Sequence, residues 1–192
     1  MEWTLPGTVL KVDASRPKVA EETVFPLFLT GGLVLSQVTQ IAGLQQHIVQ
    51  NWVRRGFLPP PQGRKYTKSQ FCRILTINAL KSALAIEDIC RLLQYVNGAL
   101  DDAGDDTIDD AELYGAFVSL ARVAALEGFP PPERLPALLE ESLGDYQEPI
   151  PGARKRIEEV LGIMLMAWRS SELQTMAQKQ LKKLPQTCAT KG

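Results

Sequence analysis

The stretch LSQVTQIAGLQQHIVQNWVRRG, residues 35–56, decides how this chain is read. At 100° per residue, Leu35, Val38, Ile41 and Ala42 share one helical face. Ser36 stands where an N-cap belongs, and Gly43 closes the helix. After almost no linker, Ile48, Val49, Trp52 and Val53 fall on one arc of a second helix, which Gly56 ends. Two short helices joined by a tight glycine-containing turn are what placing one helix in a DNA major groove requires. On the opposite half of the second helix lie His47, Gln50, Asn51 and Arg54. Gln and Asn pair bidentately with adenine, and Arg takes guanine or phosphate.

Downstream, FLPPPQGRKYT (57–67) is too rich in Pro and Gly for a helix and predicts a turn or a short β-wing. Arg64, Lys65 and Lys68 give that wing positive charge, with Tyr66 as a stiff spacer or phosphate donor. Thr67 opens the capping-box pattern TKSQ, with Gln70 at its third position. A helix follows from Lys68 to about Ser82, packing Phe71, Ile74, Leu75 and Leu80. The next, from about Ile86 to Val96, is stopped by Gly98.

Upstream, residues 1–32 show no sustained helical period. Pro6, Pro17, Pro26, Gly31 and Gly32 punctuate them, so they predict an extended arm. Beyond the head (33–98), an acidic linker at 99–109 leads to a helical region at 110–184 and a flexible tail at 185–192. Within that region the periodicity predicts helices at Asp110–Glu127, Pro132–Leu143 and Pro151–Leu184. The last has a possible break near Arg169–Ser171. The fold class is all-α with a small β-wing.

Charge is segregated. Residues 44–91 carry eight cations against two acids, a net +6; residues 98–148 carry thirteen acids against two cations, a net −11. A basic block beside an acidic one fits a surface that faces a polyanion while the rest of the protein keeps off it. The opening residues lack a basic start followed by an apolar run, and no apolar run is long enough for a membrane span. Three cysteines (Cys72, Cys90, Cys188) in no C-x-x-C pair argue against a disulfide framework or zinc site and fit a reducing cytoplasm. One histidine, no P-loop, no G-x-G-x-x-G and no metal-ligand cluster leave no cofactor and no enzymatic centre to propose.

The run from Leu35 to Leu93 resembles the head of MerR-type regulators. Gly43, Trp52, the run Gly56-Phe57-Leu58-Pro59, the run Arg64-Lys65-Tyr66-Thr67 and Ile86-Glu87-Asp88-Ile89 fall at the matching places. The resemblance implies a winged helix-turn-helix that binds double-stranded DNA. Arg64 and Tyr66 would approach the phosphate backbone, with Lys65 and Lys68 beside them. Gln45, Gln46 and His47, with the outer face Gln50, Asn51 and Arg54, would approach bases. Such heads work in pairs on half-sites, which implies a homodimer. The chain departs from the MerR pattern in three respects. Gln50 stands where Arg is usual, the long dimerising helix does not follow directly, and effector-binding cysteines have no counterpart. The chain is more similar still to an uncharacterised bacterial family of unknown function with a MerR-like head. That similarity extends over residues 25–180 and includes the phrase NGALDDAGDDTIDDAELYGAF.

The first expectation is therefore a cytoplasmic, sequence-specific DNA-binding transcriptional regulator. The second is a protein-interaction adapter that keeps the fold without DNA, favoured by Gln50 and the −11 segment. The third is a calcium-responsive module at Asp101–Glu112. That span has acidic residues at positions 1, 5, 9 and 12 but Ala103 at position 3 and Asp106 where an EF-hand has glycine. Other roles for the acidic stretch are N-capping by Asp109 or Asp110, closure onto the protein's own basic surface, and autoinhibition of the head. The C-terminal helix has apolar surface for an internal core, a homodimer interface, or an effector pocket walled by Phe117, Met164 and Trp168.

Overall fold

A computed structural model describes residues 1–97 and 107–184. The chain is mostly helical with two small antiparallel sheets. β1 (Glu2–Thr4) pairs with β2 (Lys11–Asp13), followed by α1 (Val19–Thr23) and a 3₁₀ turn (Phe25–Phe28). β3 (Leu33–Val34) then leads into α2 (Leu35–Ala42) and α3 (Gln46–Arg54). β4 (Lys65–Tyr66) returns to pair with β3, Leu33 opposite Tyr66 and Val34 opposite Lys65. The remaining helices are α4 (Lys68–Leu80), α5 (Ile86–Asn97), α6 (Asp110–Glu127), α7 (Leu135–Leu143) and α8 (Ala153–Leu181).

α4 is the axis of the molecule. Ten of its thirteen residues are buried, because α2, α5, α6 and α8 all pack against it. A helix covered on every side has no polar face to give it a period. Its start is fixed as the TKSQ pattern predicts: Thr67 Oγ1 accepts from the Gln70 amide, and Gln70 Oε1 accepts from the Thr67 amide.

Residues 1–32 are not an extended arm. Trp3, Leu5, Ala14, Val19, Ala20 and Val24 are buried in the same core as α4 and α6. The loop Pro6–Leu10 is bound on several sides. Asn78 Nδ2 donates to Gly7 O and Ala42 O, each at 2.8 Å, and the Val9 amide donates to Ile41 O. The buried Tyr114 hydroxyl donates to Pro6 O, and the Trp3 ring meets Trp168 edge-on at 6.3 Å. The prolines and glycines break helical periodicity here, yet they allow the tight path that inserts this segment between α2, α4, α6 and α8. At Gly7, φ is +75° and an added Cβ would lie 2.1 Å from Leu75 O.

Three local expectations also change. α2 begins at Leu35, one residue before Ser36, with Val34 as its cap. The strand pairing of Val34 delivers the chain directly into the helix, and Gln37 Oε1 accepts from the Val34 amide. α7 starts at Leu135 rather than Pro132, and α8 runs without a break through Arg169–Ser171. Phe117, Met164 and Trp168 are core residues, and Trp168 also borders a small cavity with the Thr4–Thr8 loop and Asn78. A cleft of about 670 Å³ lies between α1, α6 and the loop after α7. Among the described residues, no helix is long and apolar enough to cross a membrane.

Candidate nucleic-acid interface

The wheel of α3 is divided as its sequence predicts. Val49 and Trp52 are buried and Ile48 and Val53 half-buried, while Gln46, His47, Gln50, Asn51 and Arg54 are exposed. Gly43, at φ +65°, ends α2, and the Leu44 amide donates back to Thr39 O. At the far end, Gly56 at φ +73° lets the Phe57 amide reach Trp52 O and its own amide reach Val53 O. This is a Schellman closure that stops the helix after about two and a half turns. Gln45 precedes α3 in an extended conformation and makes no side-chain cap. The first amides of α3 are thus left without a side-chain acceptor at the positive end of the helix dipole.

The turn after α3 is built for projection. The Lys65 amide donates to Gln62 O at 2.9 Å, and both central residues have positive φ, Gly63 at +54° and Arg64 at +67°. That is a type I′ hairpin turn. Arg64 holds a conformation that costs a non-glycine residue on the order of 1 kcal/mol. Gln70 ties the approach to this turn, because its Nε2 donates to Pro60 O at 2.9 Å while its Oε1 serves the cap of α4. One buried amide thus fixes both the helix start and the path of the proline run. The capping half of that role is legible in TKSQ, and the proline half is not.

Gln50 and Val53 of α3 face Arg64, Tyr66, Pro61 and Leu35 across a shallow groove of about 280 Å³. The helix face and the turn therefore lie side by side. Nine of the ten candidate residues are exposed: Gln45, Gln46, His47, Gln50, Asn51, Arg54, Arg64, Lys65 and Lys68. Tyr66 is 3 % exposed and forms part of the groove floor, and burial raises its phenol above the ordinary value. The back of the head, α4 and α5, takes the packing against α6 and α8.

The positive charge of 44–91 is not all available at the surface. Arg73 is 3 % exposed and pairs with Asp110 at 3.2 Å, its Nε also donating to Phe57 O. Arg55 pairs with Glu87 and lies over the Phe57 ring; Arg91 pairs with Asp88. Lys81 is exposed, with its ammonium lowered by desolvation beside the Trp52 ring. Among the described residues, no acid pairs with Arg54, Arg64, Lys65 or Lys68, and Lys68 lies over the Phe25 ring at 4.5 Å.

The acidic stretch acts on the head from behind. Asp109 caps α6 through the Ala111 amide and accepts from the Ser69 hydroxyl. Asp110 accepts from Arg73 and Asn97, and its burial raises the carboxyl against the pull of the arginine. Both carboxylates point at α4, away from the outer face of α3. Asp109 and Asp110 are thus engaged with α4 and α6, and the remainder of the stretch behind the autoinhibition reading lies outside the described residues. Asp101–Asp106, which carry most of the calcium pattern, lie outside the described residues. Among the described residues there is no cluster of three or more metal-ligating side chains.

Residues 30–117 match a family model described as a domain of unknown function (DUF1836). The matched stretch covers β3 to α5 and continues through the first two turns of α6, which carry Asp110 and Tyr114. No curated protein and no solved structure matches the chain.

Proposed function

We propose that residues 33–97 form a MerR-like winged helix-turn-helix, and that the protein is a sequence-specific DNA-binding transcriptional regulator acting as a homodimer. The observation that carries this reading is the groove at Gln50 and Arg64. A polar helix face and an unpaired cationic turn lie beside each other, uncovered by any other described part of the chain.

In this reading α3 enters the major groove. Gln50, Asn51 and Arg54 meet base edges, and Gln45, Gln46 and His47 sit at the mouth. The uncapped amides at the start of α3 donate to a phosphate, the ligand that a helix N-terminus suits. Arg64 and Lys65 hold the flanking backbone from the type I′ turn, and Lys68 adds charge one residue past its base. Tyr66 acts from beneath: its ring supports the groove and sets the turn against α3. The buried Arg73 contributes nothing to phosphate binding and holds the head to α6.

The test is a fluorescence titration of labelled duplex at several salt concentrations. Arg64→Gly removes a cation at a backbone position that glycine adopts freely. It should weaken binding to all sequences and lower the salt slope by about one unit. Asn51→Ala should lose roughly 1–3 kcal/mol only on a site selected from a random library. Equal losses on random and selected DNA for both variants would contradict the division of labour. A wild-type protein with no salt-dependent binding at low ionic strength would be an interaction adapter instead.

A further inference from the structure

The two ends of α3 are held in different ways. Its backbone runs close to α2 and lies along no other described helix. At its start the chain turns out of α2 through Gly43 and Leu44. At its far end the contacts converge on Phe57, three residues past Arg54. The Phe57 amide donates to Trp52 O in the last turn of α3. The Phe57 carbonyl accepts from Nε of Arg73 at 3.3 Å. The Phe57 ring lies under the Arg55 guanidinium at 4.5 Å.

Arg73 comes from the middle of α4, the helix buried along most of its length, and so from the least mobile part of the fold. An isolated guanidinium turns about its last bonds; this one is oriented. Nη1 donates to both oxygens of Asp110, at 3.2 and 3.4 Å, and Asn97 Nδ2 donates to the same carboxylate. A planar fork held at one nitrogen fixes the direction of the others, which a point-like ammonium does not. A continuous line of polar contacts therefore runs from the first turn of α6, through Arg73, to the carbonyl that follows α3. The Arg55–Glu87 pair beside the same ring is half exposed, and such pairs contribute little.

We propose, resting on the reading of the head given above, that Arg73 is a positioning residue for base recognition. Held in plane by Asp110, it fixes the far end of α3 through Phe57 O, so sequence preference depends on where the first turn of α6 sits. The lever is sensitive. α3 is about 13 Å long, so a tilt of about 5° about its start moves the last turn, with Arg54, by about 1 Å. Hydrogen bonds to base edges weaken steeply over such a shift. The attraction of Arg64, Lys65 and Lys68 to phosphates acts over a screening length of about 10 Å and does not. Losing the strut therefore separates two kinds of binding: affinity for a preferred site falls, and affinity for random duplex stays.

The full chain carrying Arg73→Met with Asp110→Leu lacks the strut but keeps the joint filled by apolar side chains. Duplex titrations should show its affinity ratio, selected site over random duplex, lower than native by roughly fivefold or more, the worth of one base-edge contact. Affinity for random duplex should not change. Amide exchange, measured without DNA, should rise at Gly56 and Phe57 and stay as in the native protein in the middle of α4. Should the double variant not fold, Arg73→Met alone gives the same readouts, because burial already holds the Asp110 carboxyl above its ordinary range and lets it take up a proton. Glu87→Ala loosens only the exposed pair and should leave both ratio and exchange unchanged. An unchanged ratio in a folded variant, unchanged exchange at Phe57, or an equal loss from Glu87→Ala overturns the role of Arg73 and leaves the reading of the head intact. A native protein with no preferred site overturns the reading of the head, and the role of Arg73 in recognition falls with it.

Discussion

Replacing Asp110 by alanine should be among the most damaging single changes to the surface of α6, although the residue touches no proposed ligand. The Asp110 carboxylate faces Arg73, which is 3 % exposed, at 3.2 Å. Without Asp110, the guanidinium keeps only its bond from Nε to Phe57 O, and its Nη2 already has no partner. Stranding a buried cation in this way costs about 3–5 kcal/mol. The loss of an acid from the first turn of α6 adds a few tenths more. The pair itself is not a source of stability: burial outweighs Arg73 and leaves the Asp110 carboxyl above its ordinary range. The double variant Arg73→Met with Asp110→Leu should therefore come within about 1 kcal/mol of the native protein, or exceed it. Urea melts of the native chain, the single variant and the double variant measure this, provided that m stays constant. A single variant that loses less than about 1 kcal/mol, or a double variant as weak as the single, would refute the reasoning. The pH dependence has a fixed sign. A carboxyl raised on folding binds its proton more tightly in the native state than in the unfolded one. Its stabilising contribution is complete below the ordinary carboxylate range and is lost as pH rises through the raised value. Asp110→Asn should remove that part of the slope.

The other tests probe the N-terminal loop, the cap of α4 and the turn after α3. Gly7→Ala should cost more than about 2 kcal/mol in a urea melt, because the new Cβ meets Leu75 O at a positive φ; a melt within a few tenths of native would mean the N-terminal loop is not held where it lies. Gln70→Ala should cost about 1–2 kcal/mol and also raise hydrogen exchange at the Lys65 amide, since one side chain serves both the cap of α4 and Pro60 O; loss of stability without faster exchange at the turn would separate the two roles. Arg64→Gly should melt within about 1 kcal/mol of the native protein while Arg64→Val falls below it, because only glycine is at ease at φ +67°.

The amphipathic helices were legible in the sequence because their signals are local. The division of α3 into a buried arc and a polar arc follows from spacing along a dozen residues. So do the endings at Gly43 and Gly56 and the reciprocal cap at Thr67 and Gln70. Each is set by contacts within one or two turns, which neighbouring residues encode directly. The sites where the reading failed depend on partners far along the chain. Residues 1–32 read as an arm because prolines and glycines hide any period; their place in the core is set by Asn78, Tyr114 and Trp168. Arg73 read as one more cation of a basic surface, and only the arrival of Asp110, 37 residues later, turns it inward. Tyr66 likewise read as an outward contact, but its pairing with Leu33 in the β3–β4 ladder leaves its ring buried. Sequence alone thus determined which residues form the polar face of α3. Which charges remain beside that face was decided by the tertiary structure, because burial and ion pairing depend on segments brought together only by folding.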